Sequence, residues 1–114
     1  MPSNFILSAM PTDQYHEPAD ELSDEIRSFV RMITSLQEEC EAIGWYEQRM
    51  SLEKDDQAKA IMEDAQQEEF LHFAMSLEYL SRRKEKWRIA LQKILFKDGD
   101  IVENKEKAED AVEG

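Results

Sequence analysis

The sequence predicts an all-α protein, built as an antiparallel two-helix hairpin plus a short third helix, with a four-helix bundle completed by dimerisation. Three observations predict it. From Ala19 to Phe96 there is no proline and a single glycine, Gly44, which leaves a long stretch free to be helical. Apolar residues recur at alternating spacings of four and three, the stripe of a helix that packs on another helix. Two long helices of this kind cannot cover each other's apolar faces within one short chain, so a second copy is expected to do so.

The first long helix is predicted to begin near Pro18, a residue favoured in a first turn, and to run to about Leu52. Its seam is Leu22, Ile26, Phe29, Ile33, Leu36, Cys40 and Ile43. The stretch from Ser51 to Asp56 reads as the turn, with an aspartate capping the helix that follows. The second helix is predicted over 56–83, the basic run Arg82-Arg83-Lys84 as a break, and a short third helix over 85–96 with Trp87, Ala90, Leu91, Ile94 and Leu95 on one side. All three prolines lie in the first 18 residues, and residues 1–17 read as an irregular arm. Residues 18–96 form the helical domain. Residues 97–114 are mostly charged or small, so they are expected to be disordered for want of apolar surface to bury.

Charge narrows the function. With 14 Lys and Arg against 26 Asp and Glu, the formal net charge is −12, which argues against nucleic acid as a partner. A negative field suits a protein that gathers cations, although charge alone favours ordinary solubility. The single cysteine, Cys40, excludes an internal disulfide and fits a reducing interior; on the seam it reads as core rather than ligand. No run approaches a membrane span, and the N-terminus makes a poor signal peptide.

Two places carry residues suited to chemistry. Glu69-Phe70-Leu71-His72 sets a carboxylate and an imidazole three apart on one helix face, where both can reach one metal ion. Glu39 shares a face with Met32, Leu36, Ile43, Tyr46 and Met50, and a carboxylate in such a stripe is costly to bury unless it is paired or metal-bound. Di-metal carboxylate bundles use a lone Glu from each of two helices and Glu-x-x-His from each of two others. This chain holds one of each. His16, the other histidine, has no glutamate at the right spacing. One chain therefore supplies half a site, and two copies about a two-fold axis supply all six ligands. Carboxylates with one imidazole per metal suit iron or manganese. Glu38 and Glu41 flank Glu39 and read either as a solvated acidic face or as a hydrated-cation site on the way in. Tyr46 and Trp45 lie within two turns of Glu39; Tyr46 suits interface packing, hydrogen bonding to a ligand, or electron donation.

The segment Glu38-Glu39-Cys40-Glu41-Ala42-Ile43-Gly44-Trp45-Tyr46-Glu47-Gln48-Arg49 resembles the first-helix signature of encapsulated ferritins. Residues 68–80, with Glu69 and His72, resemble their second-helix signature, and His16-Glu17-Pro18 resembles the segment before their first helix. The resemblance implies a ferritin-like fold, pairing that builds a ferroxidase centre, and a ring of five dimers, a decamer. By residue match Glu39, Glu69 and His72 would hold two iron ions per subunit pair, Glu38 and Glu41 would be the acidic approach site, and Trp45 and Tyr46 the aromatics beside the centre. It further implies oxidation of ferrous iron by oxygen and iron storage in the lumen of a cytoplasmic encapsulin nanocompartment. One departure stands out: residues 97–114 show no Gly-Ser-Leu-like apolar motif of the kind that docks such proteins to the encapsulin shell. A helical interaction module without catalysis, and a passive divalent-cation binder using Glu38, Glu39 and Glu41, are the alternatives.

Overall fold

A computed structural model of the chain describes residues 14–114. Residues 1–13, and with them most of the expected N-terminal arm, lie outside the described residues. Four α-helices follow one another: α1 over Asp24–Leu52, α2 over Asp56–Ser81, α3 over Glu85–Ile94 and α4 over Ile101–Glu113. The described residues divide into two compact units, one ending at Phe73 and the other spanning Ala74–Gly114, with α2 contributing to both.

In the first unit, a single 3-10 turn over Ala19–Glu21 precedes α1. The predicted start at Pro18 therefore belongs to this turn, and α1 begins six residues later. Ser23 decides the boundary: its hydroxyl accepts from the Ile26 N–H at 3.1 Å, satisfying one of the orphan donors of the first turn. Arg27 ties the turn down by donating from Nε to the Ala19 carbonyl at 2.8 Å. The hairpin turn follows the sequence reading. Asp55 caps α2 by accepting from Ala58 N–H at 2.8 Å, and Glu53 accepts from the Asp55 N–H at 3.0 Å.

The two long helices double back on each other. Gln66 Nε2 donates to the Ile43 carbonyl at 3.1 Å and to Glu47 Oε1 at 2.9 Å. Ile43 and Gln66 lie equally far from the Lys54–Asp55 step, so the helices run antiparallel with that step at the bend. No residue of α1 is buried, and Gln66 is the only buried side chain among the described residues of this unit. The seam residues Phe29, Ile33, Leu36 and Ile43 are only half-buried, and Ile26 is exposed. Cys40, expected in the core, is exposed too, because the side of the seam it occupies has no cover among the described residues.

The second unit holds the two buried apolar residues among those described, Leu80 and Ala108. Burying a leucine completely contributes about 2 kcal/mol. Polar bonds shape the end of α2, which stops at Ser81, two residues before the predicted end. The Glu78 carboxylate accepts from Arg82 at 2.7 Å and from Arg88 at 3.0 Å, and Arg88 also donates to Ser81 Oγ at 2.9 Å. Arg83 lies 3.6 Å from the centre of the Tyr79 ring. Arg82 and Arg83 thus close the end of one helix, and Arg88 ties the start of the next to it.

Residues 97–114 correct the expectation of a disordered tail. They fold into α4, which packs on α3 and buries Ala108. Low apolar content is overcome by local devices. Asp100 caps the helix through Glu103 N–H at 3.0 Å, Asn104 donates to the Asp98 carbonyl at 3.0 Å, and Lys105 pairs with Glu109 at 2.7 Å. Gly99, at φ 98°, makes the turn in a conformation that L side chains rarely adopt. Phe96 stops α3 at φ 59° with its ring fully exposed, so strain there has no packing to offset it.

Two expectations follow. Phe96→Gly relieves the left-handed strain and should raise stability by about 0.5–1 kcal/mol in chemical denaturation; a loss of stability would show that the ring is packed in solution. Arg82 first, and then Arg88, hold the Glu78 carboxyl below the usual carboxylate range. Its stabilising contribution is therefore complete above the unfolded glutamate pKa of about 4.3 and is lost as pH falls through the lower folded value. Amide exchange over 79–88 should quicken, relative to 56–66, only below that range, and Glu78→Gln should abolish the difference.

Candidate metal centre

The register of the hairpin brings the sequence-predicted residues to one level. Counting outward from the Lys54–Asp55 step, Glu39 on α1 lies opposite Phe70 on α2. Glu69 and His72 are within two residues of that point, roughly 3 Å or less along the axis.

On α2, Glu69 Oε1 stands 3.5 Å from His72 Nδ1. The helix makes this pair by itself, since residues three apart share a face. The side chains are 25% and 47% exposed respectively, so the carboxylate is partly shielded while the imidazole opens outward. Two donors about 2.1 Å from one ion and 3.5 Å apart would subtend roughly 110° at it, an angle that a four- to six-coordinate ion accepts. The pair fits one metal ion as it stands, with the remaining positions to be filled from elsewhere.

On α1, the stripe Met32, Leu36, Glu39, Ile43, Tyr46 and Met50 is half-buried along its whole length. Glu39 belongs to this stripe, and its Oε1 is shut off from solvent. A carboxylate oxygen withdrawn from water among apolar neighbours is costly unless a cation or a donor compensates. Of the flanking acids, Glu38 is exposed and Glu41 half-buried. Tyr46 is half-buried with the Arg49 guanidinium 5.4 Å from its ring centre, and Trp45 is about half exposed. An open recess beside them is lined by Trp45, Gln48 and Arg49 and includes none of Glu39, Glu69 or His72.

Among the described residues, no group of three or more His, Cys, Asp or Glu side chains is close enough to hold a metal ion. What one chain gathers is a two-donor pair and, at the same level on the neighbouring helix, a carboxylate with one shielded oxygen. His16 is exposed at the start of the described residues.

Two residues escaped the sequence reading. Gln66 and Glu47 join the helices close to the candidate ligands, with Gln66 three residues before Glu69, and its α1 partners Ile43 and Glu47 four and eight after Glu39. An amide and a carboxylate in helix interiors look like ordinary surface residues. The only signal in the sequence is position, since Gln66 shares the face of Met62, Glu69 and Phe73.

The chain is similar to proteins of known sequence and of known structure. Residues 14–98 match the family described as EncFtn-like. A ferritin-like protein of Thermotoga maritima is 46% identical over 95 residues, covering 83% of this chain and 83% of that protein. An encapsulated ferritin-like protein of Rhodospirillum rubrum is 39% identical over 93 residues, covering 82% of this chain and 66% of the relative. The crystal structure of a Nitrosomonas europaea protein matches with a TM-score of 0.75 and 43% identity, over 78% of this chain and 99% of that one.

Proposed function

Since the chain belongs to the EncFtn-like family, we propose that it is a ferroxidase that oxidises Fe(II) to Fe(III) with oxygen at a di-iron site shared between two copies. The observation that carries this reading is the incomplete ligand set. Glu69 and His72 are spaced for one iron, and Glu39 has one oxygen withdrawn from water at the same level. Two copies related by a two-fold axis would bring two such pairs and two such carboxylates together.

The uncovered surface of the hairpin supports pairing. Leu71 is 60% exposed and Ile61 63%, values that suit a contact surface better than a solvated one. Gly44 supports it as well. A glycine inside a helix costs about 1 kcal/mol relative to alanine. Among the described residues a Cβ at Gly44 would meet nothing within 4 Å, so none of them requires a glycine there. Close approach by a second copy would account for it.

Ferrous iron is the substrate. Glu69 and His72 of each copy would take one iron, and the two Glu39 carboxylates would lie between the irons. Anionic oxygen donors favour the ferric state, so each iron loses one electron and dioxygen accepts the pair. Glu38 and Glu41 would attract hydrated cations toward the site, helped by the net charge of −12. Tyr46 would hydrogen-bond a ligand or supply an electron. In this reading the dimers assemble as a decameric ring and deliver ferric iron to the lumen of an encapsulin nanocompartment in the cytoplasm. Encapsulation is what the name of the Rhodospirillum rubrum relative states of that protein.

Glu69→Ala and His72→Ala should each slow Fe(II) oxidation, followed by oxygen consumption, by at least as much as loss of an outer-shell partner costs a metal site, roughly 10–100-fold. Both variants should keep the helical content of the parent. Unchanged oxidation in both would refute the assignment.

A further inference from the structure

We propose that Gln66 is a positioning residue that sets the register of Glu39 against the Glu69–His72 pair; the inference rests on the metal-site reading above. Gln66 is 6% exposed and is the one buried side chain among the described residues of its unit. Its amide nitrogen has two protons, and both are used on α1: one on the Ile43 carbonyl, one on the Glu47 carboxylate. Those acceptors lie at positions four residues apart, one helical turn. Gripping both from a single atom opposes sliding and rotation alike.

The apolar seam cannot set the register so well. Its spacings of four and three repeat every seven residues, and half-buried Leu, Ile and Met side chains tolerate a shift that hydrogen bonds do not. A slip of one turn would move Glu39 about 5.4 Å along α2, away from the level of Glu69 and His72. One buried polar group that fixes register among apolar neighbours is the best-attested use of such a group in helical assemblies. The clamp also sits where it has most effect, one turn from Glu69 on α2 and one to two turns from Glu39 on α1. Glutamine is specific here: leucine would make neither bond, and glutamate would set a second negative charge against Glu47.

Cobalt(II) binding, read from visible absorption, separates the possibilities. The parent protein should bind Co(II), and His72→Ala should abolish the absorption; failure of either result overturns the metal-site reading itself. Given that binding, Gln66→Leu should melt at or above the parent temperature, because an apolar side chain replaces a buried polar one. It should nonetheless bind Co(II) about tenfold more weakly, with altered band intensities at saturation. A merely structural role would lower the melting temperature and leave the saturated spectrum unchanged. Glu47→Ala, at an exposed position that folding tolerates, removes one of the two bonds and should weaken binding about threefold. Parent-like affinity and spectrum in both variants, or in Glu47→Ala alone should Gln66→Leu not fold, would overturn the clamp while leaving the metal site standing.

Discussion

Apolar surface that one hairpin cannot cover is the constraint on which the rest of this structure depends. Helix α1 runs for 29 residues without a buried side chain, and the first unit buries only Gln66 among its described residues. Its stripe from Met32 to Met50 stays half-covered from end to end. A helix gains most of its stability from packing an apolar face, so a face left open calls for another surface. In the second unit α4 packs on α3 and Ala108 is buried, so cover there comes from within the chain. The candidate ligands are in the unit that lacks it.

This placement links assembly to chemistry. Glu39 lies in a half-covered stripe with one carboxylate oxygen shut off from water, and closing the stripe with a second copy would withdraw more of it, a cost that a cation would offset. Metal binding and pairing would then reinforce each other, since ligands that converge only in the pair add their binding energy to association. The Glu69–His72 spacing is set by the helix itself, whereas the Glu39 alignment depends on how two helices are held. The two halves of the site thus have different physical origins, one local and one tertiary.

The parts legible in the sequence were those governed by short-range rules. The Asp55 cap, the break after α2, the Glu-x-x-His pair and the half-buried surroundings of Glu39 follow from spacing and residue type. Errors arose where one local signal outweighed another. Ser23 caps α1 although Pro18 offered an earlier start. Asp100, Gly99 and a single buried alanine suffice for α4, where apolar content alone argued for disorder. Gln66 was not legible because hydrogen bonding between helices depends on register, which pattern reading does not supply. Cys40 shows the converse: its seam position was read as core, yet a seam is core only where something covers it.

Native mass spectrometry during anaerobic Fe(II) titration puts the shared site to the most direct test. The account predicts iron-free monomers and two irons on each pair of chains, with the paired species growing as iron is added. Stoichiometric iron on monomers, or pairs that take up no iron, would contradict it.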